Sequence, residues 1–109
     1  MNGLIGLWVT DPLDQDSLAA YGEVTLQFGP AGQLSYTIHQ NDEKQIILLT
    51  YRVESNTLVI DQPSAPREER VPFEITAGGK LVVFSQPVTS TYVRVPREPI
   101  ARDLRASLS

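Results

Sequence analysis

Along most of this chain apolar and polar residues alternate with a period of two, and turn-forming residues interrupt the alternation at short intervals. Successive side chains of a strand point to opposite faces, so this period predicts strands with one buried face. In EVTLQF, residues 23 to 28, Val24, Leu26 and Phe28 share a face. GPAG follows as a turn, and QLSYTIHQ alternates again with Leu34, Tyr36 and Ile38 on its apolar side. The two runs predict a hairpin. NDEK predicts the next turn. QIILLTYRVE then carries a wholly apolar register of Ile47, Leu49, Tyr51 and Val53, which leaves Ile46 and Leu48 facing outward. ESNT predicts a tight turn in which Asn56 suits a left-handed conformation.

TLVID points Leu58 and Ile60 inward, and RVPFEIT does the same with Val71, Phe73 and Ile75. Pro72 has no N–H, so it calls for an edge strand, a bulge or an unpaired position. KLVVFSQ is apolar in both registers, and its pattern sets no orientation. With LIGLWV at the start and TSTYVRV at the end there are about eight strands. No convincing crossover helix separates them, so sequential neighbours pair antiparallel, and closing the sheet removes its exposed edges.

The expectation is an all-β chain: an antiparallel up-and-down barrel of about eight strands over residues 1 to 97. A short amphipathic C-terminal helix or tail over 98 to 109 packs on it. Pro99 suits a first helical turn, and Ile100, Leu104 and Leu108 recur at i, i+4 and i+8. That helix, or a second copy of the chain in a homo-oligomer, is expected to cover Ile46 and Leu48. DPLDQDSLAAYG, residues 11 to 22, reads as a solvated acidic loop holding one short helical turn that ends at Gly22.

Gly6-Leu7-Trp8 in the first strand and Thr91-Tyr92-Val93-Arg94 in the last, on about eight strands, resemble the lipocalin (calycin) signature. The chain looks like a minimal bacterial-type member of that family. The resemblance implies that the first and last strands meet, that Arg94 lies across the Trp8 indole, and that the pair caps the closed end. A guanidinium over an indole face is favourable by roughly 0.5–2 kcal/mol. The glycine is read as the point where the strand bends.

Composition narrows the chemistry. With no cysteine there are no disulfides, thiolate nucleophiles or cysteine metal sites, and a single histidine, His39, excludes a multi-histidine site. A net charge of −4 argues against a nucleic-acid partner. No apolar run is long enough for a helical membrane span, and no basic segment precedes an apolar one, so reading from Met1 predicts a cytoplasmic protein. Asp11, Asp14 and Asp16 lack the spacing of a calcium loop, and no metal or other cofactor is expected.

What remains is the barrel interior. Tyr36, Tyr51 and Tyr92 point inward, and a buried phenol needs a hydrogen-bond partner. Converging with Phe73 at the open end, they would orient a small hydrophobic molecule with a polar head. The expected function is therefore non-enzymatic binding of such a molecule. The alternative is a filled barrel that acts through its outer face as an interaction or structural domain.

Overall fold

The computed structural model describes residues 3–64 and 66–95. The elements run β1 (Gly6–Thr10), α1 (Gln15–Tyr21), β2 (Glu23–Phe28), β3 (Gln33–Gln40), β4 (Glu43–Glu54), β5 (Thr57–Asp61), β6 (Glu69–Ile75), β7 (Leu81–Val83) and β8 (Ser90–Val95). Each strand pairs antiparallel with the next, and β8 pairs back to β1, so the sheet is a closed eight-stranded barrel. Closure sets Trp8 opposite Arg94 and Thr10 opposite Tyr92. The helix expected over 98–109 lies outside the described residues.

The inward registers read from the alternation form one core. Trp8, Leu4, Phe28, Leu34, Leu58 and Leu81 are buried at its centre, and Tyr36, Leu49, Tyr51, Val53 and Ile60 pack around them. In β7 the inward residues are Leu81 and Val83, while Phe84 is exposed just past the strand. Short turns join β2 to β3, β3 to β4 and β4 to β5. Asn41 and Asp42 both take positive φ (50° and 66°) in the two-residue turn from β3 to β4, as a type I′ hairpin requires. In the next hairpin the left-handed residue is Ser55 (φ 56°) rather than Asn56.

Pro72 is in register with Thr57 of β5, and its missing N–H costs that seam nothing. The Phe73 N–H donates to the Asn56 carbonyl on the β5 side, so a residue-72 N–H would face β7, one step beyond the last β6–β7 pair. The Pro72 carbonyl still accepts from the Phe84 N–H at 2.9 Å. The outward side chain of Val59, opposite Arg52 and Arg70, is buried, at 2% exposure. The two arginines alternate with Glu54 and Glu68 in a ring of ion pairs, with contacts of 2.7, 3.2, 2.8 and 3.6 Å, and their stems flank Val59.

The acidic segment after β1 is not a solvated loop. Asp14 caps α1 by accepting the Ser17 N–H (3.1 Å), and its other oxygen accepts the Thr91 N–H of β8 (2.8 Å). Asp11 is 5% exposed; it accepts the Leu13 N–H at 3.0 Å and pairs with Lys80 at 2.8 Å. The lysine holds its carboxyl below the usual aspartate range, helped by the Leu13 N–H. Sequence spacing could not show this, because the partners lie 77 and 69 residues away. The helix makes two turns and stops at Gly22, whose φ of 77° suits a residue without a side chain.

Candidate functional site

Strand direction gives the barrel two unlike ends. At one end the start of β1 and the end of β8 meet over Trp8. The indole N–H donates to the Leu4 carbonyl at 2.9 Å. Arg94 lies over the ring with its guanidinium carbon 4.2 Å from the centroid. Its Nη1 donates to the Ile5 carbonyl at 2.9 Å and its Nη2 to the Gly3 carbonyl. Gly6 takes φ +132°, and a Cβ there would come within 2.6 Å of Nη1. The glycine is therefore needed for two reasons: a backbone angle that side chains disfavour, and room for the guanidinium. This end is a structural plug.

The other end is half covered. The helix α1 lies against β8 through Ser17 and Ser90, whose buried hydroxyls are 2.7 Å apart. Tyr21 adds a hydroxyl contact of 3.2 Å to the Val88 carbonyl, and the Val88 N–H donates to the same hydroxyl. The uncovered half follows from unequal strand lengths. Of the twelve residues in β4, Thr50–Glu54 pair with β5, and the preceding residues pair only with β3. Pro63 has no N–H to continue β5, and the chain crosses to β6 through a loop pinned by the Arg67 N–H on Asp61 (2.8 Å).

Between that loop and the overhang of β4 lies a cavity of about 340 Å³. Its apolar wall is Ile47, Leu49 and Ile60, and its polar groups are Tyr36, Gln62, Arg67 and Glu69. Ile47 was read as a core residue; it belongs to this wall and not to the buried core. The half-buried Tyr36 hydroxyl has no hydrogen-bond partner among the described residues. Burial is the main cause that raises its pKa, with Tyr21 adding to it. Burial raises Tyr92 too, and Tyr36 contributes to that shift. Tyr36 and Tyr92 thus lie close together beneath the mouth, with Tyr21 beside them.

The four residues expected to hold a ligand therefore separate. Tyr36 lines the cavity. Tyr92 lies behind it in the core at 5% exposure, and Phe73 is core at 9%. Tyr51 belongs to the opposite end: its hydroxyl donates to the Gly29 carbonyl (2.8 Å), and its ring stands edge-on to Phe28 at 5.0 Å. Gln62, Arg67, Glu69 and Tyr21 were not anticipated. Gln62, Arg67 and Glu69 come from a segment with no periodicity, and Tyr21 from one that reads as a loop. The two prolines within that first segment, Pro63 and Pro66, were the available signal, since a proline has no N–H with which to extend β5.

Among the described residues no group of three His, Asp or Glu side chains is arranged to hold a metal ion, and no helix is long and apolar enough to cross a membrane. No protein-family profile matches the chain, and no curated protein matches it.

Proposed function

We propose that this protein is a lipocalin-like binding module that takes a small hydrophobic molecule with a polar head at the slot beside β4. The observation that carries the reading is Tyr36, half-buried with no hydroxyl partner among the described residues, lining a cavity with an aliphatic wall. An unmet donor beside apolar surface suits a ligand that brings an acceptor and a hydrocarbon body. Arg67 and Gln62 at the rim suit the same head, a carboxylate or carbonyl oxygen. The Trp8–Arg94 plug supports the family reading, because the first-strand tryptophan and last-strand arginine meet in space.

Thermal-shift measurements with long-chain fatty acids, retinoids and tetrapyrroles test it. A ligand that binds only the folded state raises Tm with its concentration. Tyr36→Phe is expected to weaken the binding about five- to tenfold, the loss of one hydrogen bond. If no compound shifts Tm, the reading is overturned. A second reading, a filled barrel acting through its outer face, is favoured by the centre of the core. There Trp8, Leu4, Leu81 and Phe28 are at most 1% exposed, so space for a ligand lies at the mouth and not along the axis.

A further inference from the structure

The unequal strand lengths that open the slot also leave a strand edge unused. The Tyr51 N–H donates to the Gly32 carbonyl at 2.9 Å. Antiparallel pairs alternate between bonded and non-bonded, and this contact fixes the parity along the β3–β4 register. Gln45, Ile47 and Leu49 turn their N–H and C=O groups to β3, while Lys44, Ile46 and Leu48 turn theirs away. Among the described residues no strand pairs with that side. The outer face of the same stretch carries Ile46 and Leu48, 55% and 68% exposed. Such edges are commonly protected by proline, bulges or charge, and here Lys44 is the one charge facing that way.

We propose that this edge pairs antiparallel with the same edge of a second copy of the chain, giving a two-fold dimer with one continuous sheet across both barrels. The unmet groups are backbone donors and acceptors at strand spacing, so the occupant is a strand. A helix satisfies its own backbone and supplies none along its length. The 98–109 segment, whose Ile100, Leu104 and Leu108 recur at helical spacing, is for that reason the poorer occupant. The edge is self-complementary. A two-fold axis at Ile46 sets Ile46 against itself and Lys44 against Leu48, with no like charges opposed. Ile46 and Leu48 of both copies then merge into one patch with a lysine at each end. The antiparallel course also carries the acidic hairpin tip, Asp42 and Glu43, towards the second copy's slot. There Arg67, 82% exposed and only 4.0 Å from Glu69 at closest, is available to it. Gln45 and Ile47 of one copy extend the slot wall of the other. A five-residue pairing is a small interface, so the dimer is concentration-dependent.

The inference does not rest on the ligand reading, and its test uses no ligand. Sedimentation of the full chain from micromolar to millimolar concentration is expected to show reversible dimerisation. Amide exchange at Lys44, Ile46 and Leu48 is expected to slow about tenfold as the dimer fills. Ile46→Pro removes an N–H that β3 does not use, so the barrel stays folded and the dimer is lost. Leu48→Lys keeps every backbone group and covers the case in which the proline lowers stability; it is expected to weaken association at least about tenfold. A monomer at every concentration with fast exchange at the three amides overturns the proposal, and so does a dimer that survives both substitutions. Protection already present in a monomer and abolished by deleting residues 96–109 also overturns it, and assigns the edge to the tail.

Discussion

The two ends of this barrel use aromatic residues in opposite ways. At the plugged end Trp8 is wholly buried, its N–H is bonded to Leu4, and a guanidinium covers its face. Tyr51 at the same end has its hydroxyl on a backbone carbonyl. At the mouth Tyr36 is half-buried and lines the cavity, and its hydroxyl has no partner among the described residues. A hydroxyl bonded to a backbone carbonyl adds to stability and one without a protein partner among the described residues adds little, so the plugged end is arranged for stability and the mouth leaves a donor free for a ligand. The difference teaches where to look for function on a filled barrel: at the ring whose polar atom is left over.

The largest test of this contrast is Trp8→Ala, expected to cost about 3–5 kcal/mol by leaving a large cavity in the plug. Arg94→Ala removes the ring contact and two carbonyl bonds while Trp8 stays, and is expected to cost about 1–3 kcal/mol. Denaturant titration followed by far-UV circular dichroism measures both. An Arg94→Ala chain as stable as the parent would break the idea that the plug is held from outside.

Asp11→Asn comes next, because it tests how firmly the covered half of the mouth is held. It weakens the tie between the α1 segment and Lys80 and is expected to cost about 1–2 kcal/mol near neutral pH. The sign of its pH dependence is fixed by the lowered folded-state pKa. The aspartate contributes fully above its unfolded value of 3.8 and loses its contribution as pH falls through the lower folded value. The gap between parent and variant therefore closes in acid. A gap that stayed constant from neutral pH into strong acid would show that the ion pair is not its source.

The smallest effects separate two tyrosines that look alike in sequence. Tyr51→Phe is expected to cost about 1 kcal/mol, because the Gly29 carbonyl loses its donor. Tyr36→Phe is expected to change stability by less than about 0.5 kcal/mol. Equal losses in thermal melts would mean that Tyr36 has a partner after all, and the mouth would lose its distinction.

Nothing local separates those tyrosines. Both occupy inward registers of alternating strands, and alternation reports the face but not the height along the barrel. Height is set by the register around the whole sheet, where the partner of Tyr51 is the turn residue Gly29 and Tyr36 has none among the described residues. The same limit applies to Asp11 and Asp14, which read as surface acids because Lys80 and Thr91 come from far along the chain. It applies again to Val59, an outward residue buried by arginines of the two neighbouring strands. What was legible was local: the strands, their inward faces, the antiparallel order and the closure implied by eight short-linked strands. The meeting of Trp8 and Arg94 was anticipated through a resemblance, since alternation by itself could not have paired the chain's first and last strands.

That pairing has a kinetic side. The bond from Arg94 to Gly3 joins residues 91 positions apart, and Ser17 meets Ser90 over 73. Every other seam joins strands that follow one another in the chain, with at most α1 between them, whereas the β1–β8 seam must close a loop nearly as long as the barrel itself. Loop entropy grows with length, and folds dominated by distant pairings fold on the millisecond-to-second scale. Until the last strand arrives, β1 has a free side, with Leu7 and Val9 on one face and Trp8 on the other. The indole that secures the finished barrel is thus the largest sticky surface of the unfinished one, and the arrival of Arg94 is what ends that exposure.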